Sequence, residues 1–452
     1  MGDTLRMLVR SSFQICISRF GEGNRNDPPL EIALSPSGKR GKLFYGWWVV
    51  MTAGLGLGLG YAPIIVYSFG IFLKPLLQEF HSSRGNISLA FTLANLAQAM
   101  ISPLVGRWAD RFGARRVILL GSAFFASMLF LSLALSTSLW QLYLFYVLLG
   151  IAGIGASPLP YGKVIANWFD RRRGLALGLT MFGLGAGAII MPALAQGLIA
   201  TFGWRGAYAA MGLPVLAVCV PVVSLLLKET PGTIGCLPDG AIAAQPPITK
   251  RPNVDGMVWQ DARHGYTFWT MVSAFFLVGV SVHGCVVHLV PMLTDRGVSP
   301  HRAALTSSLL GGALLIGRVV TGYLLDRIFA PRVAMIFFSG AAAGIALLLS
   351  GAASCAPFLA ALLIGLGMGA EADIIAYLTS RYFGLRAFGE IYGYAFAAYV
   401  LAGALGPWLM GLGFDHTGSY SPVLVGFLVA TLGATLVMLK LGPYRYRAQS
   451  AS

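Results

Sequence analysis

A few ionisable side chains stand deep inside long apolar runs, and each needs a reason to be there. A charged group at mid-membrane costs at least roughly 2.5–3.5 kcal/mol on insertion scales, so such residues are the first candidates for chemistry. Of the acidic residues only Glu371 and Asp373 lie well inside an apolar run; of the bases, Arg318 and Lys163 do. Arg318 precedes Arg327 by nine residues, about 13 Å along a helix from its polar end. A guanidinium fork at that depth suits bidentate capture of a carboxylate; the alternative is an ion pair tying two helices together. Glu371 precedes Arg381 by ten residues, so its depth matches that of Arg318. Such a carboxyl can carry a transported proton if substrate arrival alters its pairing; the alternative is a permanently paired structural group. Asp373 is roughly 200° further around the same helix, which assigns it to packing or a polar network rather than to one cavity with Glu371.

His283 and His288 are five residues apart, not a same-face spacing, and no Cys, Asp or Glu in their run completes a metal site with them. His283, the deeper one, is read as touching substrate or relaying a proton, or else as an interior histidine. His288 belongs near the outer surface. Lys163, about 10 Å from the polar end of its run, can snorkel to the interface or contact substrate or a gate. Tyr61, followed by Ala62 and Pro63, and Tyr161 are candidates to line a pathway, with Pro63 loosening its helix.

These residues sit in elements dictated by the solvent. The 452 residues are 56% hydrophobic and 11% charged, against about 25% charged in ordinary soluble domains. Apolar runs of about 20 residues, enough for a bilayer core, recur from Tyr45 to Lys440. In lipid the backbone must satisfy itself, so the runs are helices, and they lack the alternation of barrel strands. Twelve spans are expected, at 45–73, 86–108, 117–136, 139–167, 174–200, 206–227, 267–293, 302–325, 333–351, 356–380, 388–413 and 421–440.

Connections on one side carry Arg107, Arg111, Arg115, Arg116, Arg171, Arg172, Arg173, Arg251, Arg263, Arg327, Arg332, Arg381 and Arg386, and both tails are basic. Lys and Arg are retained in the cytoplasm, so both termini are expected there, in a multi-pass plasma (inner) membrane protein. The net charge of +15 is then a topology signal, and its dispersal over many loops excludes a nucleic-acid surface. The expected layout is a disordered tail at 1–42, a six-helix half at 43–228, a proline-rich linker at 229–265, a second half at 266–441 and a tail at 442–452. The five cysteines form no CxxC pair and no disulfide framework.

The halves share landmarks at nearly constant offset. Gly106-Arg-Trp-Ala-Asp110-Arg111 recurs as Gly322-Tyr-Leu-Leu-Asp326-Arg327. Trp168-Phe169 with Arg173 and Gly174 recurs as Tyr382-Phe383 with Arg386 and Gly389. Phe202-x-x-x-Gly206-x-Tyr208 returns as Phe414-x-x-x-Gly418-x-Tyr420. Three landmarks in one order, on matching sides, indicate parallel repeats of six helices, with a pathway at their interface and alternating access by rocking.

At these residues the chain resembles the major facilitator superfamily. The stretch Gly106-Arg-Trp-Ala-Asp110-Arg111-Phe-Gly113-Ala-Arg115-Arg116 is similar to that superfamily's signature between its second and third helices. It implies a gating motif in which Asp110, with Arg111 and Arg115, and its repeat Asp326 with Arg327, hold one side closed. A carboxylate there can accept bonds from Arg residues or a helix N-terminus, while Gly113 permits the tight turn. Within the superfamily the chain resembles the monocarboxylate porter and oxalate/formate antiporter branch. The resemblance rests on Tyr45-Gly46-Trp47-Trp48-Val49-Val50, Asn167-Trp-Phe-Asp-Arg-Arg-Arg-Gly174-Leu-Ala-Leu-Gly178, Gly203-Trp204-Arg205, Pro238-Asp239-Gly240 and Arg318. It implies an all-α, twelve-helix transporter whose substrate-binding Arg is Arg318.

The sequence departs from proton-coupled members in lacking a first-span Lys after Tyr61 and in having Leu314 one turn before Arg318, where they carry an acid. The eleventh span has no Lys, unlike dianion exchangers. One fixed positive charge partly offset by Glu371 suits a monoanion. The expected function is secondary transport of a small organic monocarboxylate with a proton as co-substrate, by a monomer in the lipid bilayer, with no cofactor. The alternatives are an anion exchanger using a counter-anion and a non-transporting sensor of the same fold. No HExxH, nucleophile elbow or nucleotide-binding loop supports an enzyme or primary pump.

Overall fold

The computed structural model describes residues 44–82, 84–240, 255–351 and 355–446. The expected tail at 1–42, the middle of the linker and the last six residues lie outside these. Among the described residues, eleven helical stretches are long and apolar enough to cross a membrane. The longest, Arg173–Leu226, has 54 residues and is two helices in one, because Gly203 (φ 69°, ψ 176°) breaks the helical geometry inside it. That positive φ is open to glycine and strained for other residues. The chain therefore forms twelve spanning helices: α1 (Tyr45–Val66, prolonged by Phe69–Phe80), α2 (Arg84–Phe112), α3 (Ala114–Ala134), α4 (Leu139–Trp168), α5 (173–202) and α6 (204–226) in one half. The other half holds α7 (Tyr266–Asp295), α8 (Pro300–Leu325), α9 (Ala330–Leu349), α10 (Ala356–Phe383), α11 (Phe388–Thr417) and α12 (Ser421–Met438).

Three helices are irregular inside, each beside a proline; in α6 it is a π turn over Val215–Cys219 after Pro214. In α1 the residues Ala62–Val66 widen into a π turn around Pro63, which has no N–H to donate, and the Tyr67 N–H reaches the Ala62 carbonyl at 2.9 Å. The first helix continues to Phe80, past the expected limit at 73, so its outer end is a separate segment set off by this turn. In α4 the backbone tightens over Ile154–Ala156 before Pro158 restarts the helix.

The halves meet along two seams, α2 against α11 and α5 against α8. A Cβ on Gly106 would fall on the Gly389 carbonyl oxygen, and one on Gly174 would fall on that of Gly322. Backbones can approach this closely only where side chains are missing. From Gly367 to Phe383 helix α10 is enclosed on every side, each residue there being buried. It places Glu371 and Asp373 in the interior whichever way they point.

Candidate functional site

The charges of α8 and α10 converge where the halves meet. Arg318 is 3% exposed, Glu371 and Asp373 are fully buried, and the Arg318 Nη1 stands 3.9 Å from the Asp373 Oδ1. That separation is an ion pair but exceeds hydrogen-bond range. Arg318 Nε and Nη1, both oxygens of Glu371, both of Asp373 and the Tyr392 hydroxyl are all buried without a hydrogen-bond partner. Buried polar atoms are nearly always paired in a folded interior, so seven orphans in one cluster mark a site prepared for something else. Glu371 lies against Gly279 of α7, where a Cβ would be 3.9 Å from its Oε2. The other half contributes Gly162 of α4, whose Cβ position faces the Tyr392 ring at 3.4 Å.

Aromatic residues extend this cluster. Tyr399 of α11 is in electrostatic contact with Glu371, Tyr67, Arg318 and Tyr392, so Tyr67, just past the π turn, faces the site from the other half. His283 packs edge-on to Tyr399 with ring centroids 5.4 Å apart, and its Nδ1 pairs with the Gly279 carbonyl at 2.8 Å. His283 thus joins the outer rim of the cluster through Tyr399. His288 bonds the Pro407 carbonyl at 3.2 Å and stays outside it.

Several sequence expectations need correction here. Asp373, set apart by its angle on the helix, is the carboxylate nearest Arg318. Around these residues every side of α10 is buried, and Arg318 interacts electrostatically with both carboxylates despite their separation in angle. Tyr161 points into its own half, where its hydroxyl lies against Gly56 with Ser122 and Cys219 as electrostatic neighbours. Tyr61 packs on Phe125 (centroids 6.1 Å apart) and against Gly153, also inside that half. Lys163, grouped with the substrate-facing residues, instead donates to the Asp110 Oδ1 at 2.8 Å and the Ala109 carbonyl at 2.7 Å. Tyr67, Tyr392 and Tyr399 were missed; three tyrosines among seventeen carry no distinguishing neighbour in the sequence.

The second assembly closes the basic face. Asp110, near the end of α2, accepts from the Gly389 N–H (2.9 Å) and Glu390 N–H (2.8 Å) at the start of α11 in the other half. Asp326, just after α8, accepts from the Gly174 N–H (2.6 Å) and Leu175 N–H (2.9 Å) at the start of α5. Repeat-related acids thus cap repeat-related helices across the interface, where free N–H groups and the helix dipole favour an anion. Arg107 pairs with Glu390 at 2.6 Å, and Arg381 with Asp170 at 2.6 Å. Arg173 donates to the Ser380 hydroxyl at 2.9 Å. All of these cross between the halves.

The motif's remaining residues stay within one half. Arg115 bonds the Ser224 carbonyl, Arg111 lies over Phe112 and Arg327 over Tyr323. Gly113 turns the chain at φ 96°, and the Glu229 carboxylate behind it takes the Ala114 N–H at 3.0 Å. In the linker Asp239 accepts from the N–H groups of Asp170 (2.9 Å), Arg171 (2.7 Å) and Arg172 (3.3 Å).

The two caps differ electrostatically. Asp110 has Lys163, whereas the matching position five residues before Tyr382 is Tyr377. Burial therefore pushes the Asp326 carboxyl up to about 6, against the pull of the Leu175 and Gly174 N–H groups and of Arg381, with Asp239 adding to the rise. Away from the basic face, α8 exposes Ser307, Leu309, Gly311 and Gly312, and a Cβ on either glycine would meet no atom within 4 Å. The conformation is closed on the basic side.

Known proteins match this arrangement. The model of the Major Facilitator Superfamily matches residues 55–407. Human "Monocarboxylate transporter 11" is 29% identical over 415 residues, covering 89% of this chain and 84% of that protein. "Monocarboxylate transporter 13" of Bos taurus is 28% identical over 402 residues, covering 87% and 89%. Among solved structures, the MFS proton:xylose symporter XylE, bound to 6-bromo-6-deoxy-D-glucose, superposes with a TM-score of 0.68 at 15% identity, covering 89% of this chain and 97% of that one. The chain is a multi-pass membrane transporter, not an enzyme, and it belongs to the Major Facilitator Superfamily.

Proposed function

We propose that this transporter moves a small organic monocarboxylate by alternating access, in symport with a proton, and that Arg318 binds the carboxylate. The observation that carries this reading is the buried cluster of Arg318, Asp373 and Glu371 with its unpartnered polar atoms. Arg318 is the fixed positive charge there, and a planar fork with two unpartnered donors, Nε and Nη1, suits a carboxylate. With both acids ionised the cluster carries one net negative charge and would repel an anion. Burying such charge uncompensated is costly, so an arriving carboxylate has to come with a positive charge. A proton on Glu371, which has no ion-pair partner within 4 Å among the described residues, supplies it. The pair on α10 thereby stands in for the relay that Leu314 and the first span lack. The basic face is assigned to the cytoplasm, so the side closed in this conformation is the cytoplasmic one. The names of the relatives agree with the substrate class.

The test is uptake of labelled lactate, pyruvate and formate into proteoliposomes, with and without an inward proton gradient. Gradient-driven uptake is expected. Arg318→Ala should reduce it by more than roughly a hundredfold, and Arg318→Lys nearly as much, because one ammonium cannot replace the fork. Transport surviving Arg318→Ala would falsify the assignment. Uptake indifferent to pH but dependent on internal anion would make the protein an exchanger.

A further inference from the structure

The geometry points to a substrate preference for 2-hydroxy acids over 2-oxo and unsubstituted acids, with Asp373 as the residue that reads the hydroxyl. This rests on the reading that Arg318 takes the carboxylate. The Arg318 Nη1 and Asp373 Oδ1 are 3.9 Å apart, too far to bond each other and too close for a ligand atom to sit between them in line. Whatever satisfies both must approach from the side, with one hydroxyl bridging the two residues or with two neighbouring atoms, one on each.

Their chemistry then fixes what those atoms are. A guanidinium only donates, and an ionised carboxylate only accepts. The ligand must therefore present an acceptor to Arg318 and, on the same or a neighbouring group, a donor to Asp373. A carboxylate with a hydroxyl on the adjacent carbon does so. With hydrogen bonds of about 2.7–2.9 Å to each residue, the four polar atoms close a ring across the 3.9 Å gap. A 2-oxo acid offers Asp373 a second acceptor and is repelled, and an unsubstituted acid leaves both Asp373 oxygens unpaired as they are now. A site built to bond a hydroxyl discriminates strongly against ligands that lack one, because its own buried groups are left unsatisfied. Tyr392, whose orphaned hydroxyl is in electrostatic contact with Asp373 and Arg318, can both donate and accept and supports either end of the ligand. Glu371 is a poorer reader. It forms no ion pair with Arg318 within 4 Å and lies toward Gly279.

The experiment compares three acids of one carbon count, lactate, pyruvate and propionate, as labelled substrates and as competitors in proteoliposomes holding the full chain. Lactate should exceed the other two at least roughly tenfold in kcat/KM. Asp373→Asn, whose amide donates as well as accepts, should bring the lactate-to-pyruvate ratio within about threefold of one. Equal handling of the three acids by the unmodified protein overturns the inference while leaving the monocarboxylate reading intact. A lactate preference that survives Asp373→Asn but disappears in Glu371→Gln overturns the assignment to Asp373. Transport of none of the three overturns the carboxylate reading and this inference together.

Discussion

Replacing Asp110 with alanine should open the basic face by a measurable and calculable amount. The carboxylate accepts three bonds, from Lys163 at 2.8 Å, Gly389 at 2.9 Å and Glu390 at 2.8 Å. Only the last two cross between the halves and are lost on opening. A bond to a charged group contributes about 1.5–3 kcal/mol, but the freed N–H groups find water when the face opens, so the lower figure applies. Two such bonds amount to about 3 kcal/mol, or roughly a hundredfold in the closed-to-open ratio. The Arg107–Glu390 pair offers an internal scale. The Arg107 side chain is 56% exposed, and exposed pairs give under about 1 kcal/mol, so Arg107→Ala should shift the ratio by less than about fivefold. The assay is labelling of Ser102→Cys, a buried position against Gly393, by an impermeant maleimide reaching the basic face in a cysteine-free background. Asp110→Ala should accelerate labelling about a hundredfold. Adding Lys163→Met should change little further, because the cation's ionic partner is already gone. A labelling rate within twofold of the parent would refute the view that these caps hold the halves together.

Two other outcomes are expected. Gly106→Ala puts a methyl group onto the Gly389 carbonyl, so α2 and α11 must separate, and labelling at Ser102→Cys should rise as for Asp110→Ala, with uptake reduced. Asp326 should make closure pH-dependent: its carboxyl stands near 6 in the closed gate and falls to the ordinary value of about 3.9 once exposed. The closed state therefore holds the proton more tightly, is most favoured below about pH 4, loses ground as pH rises toward about 6, and is level above that. Asp326→Asn should weaken this dependence of labelling, and a dependence of the opposite sign would sink the argument.

The fold was legible because lipid enforces it: apolar run length, basic loops and repeated landmarks are chemical demands met by sequence alone. Gly203 is an instance. The helices on either side of it run together, yet a sequence reading still divides them, at Phe202-Gly203-Trp204. The depths of Arg318 and Glu371 could be counted from Arg327 and Arg381, since helical rise is fixed. Direction around the helix could not be read in the same way. Tyr161 and its neighbour Gly162 illustrate the limit, one facing Gly56 inside its half and the other facing Tyr392 across the interface. Asp373 misled for the same reason, because its stretch of α10 is buried on every side and angle alone does not tell which neighbour it meets. Lys163 found its partner through the end of another helix, a contact that no spacing along its own span encodes.

The exchanged caps at the starts of α5 and α11 have a thermodynamic consequence. Parting the halves uncovers four backbone N–H groups, those of Gly174, Leu175, Gly389 and Glu390, together with two carboxylates. Each of these groups trades a protein partner for water, which returns all but about 1.5 kcal/mol of each bond. Opening is thus an exchange of hydration for contact rather than a rupture. The four bonds together hold the gate by about 6 kcal/mol, a sum that the free energy of binding one small solute can offset.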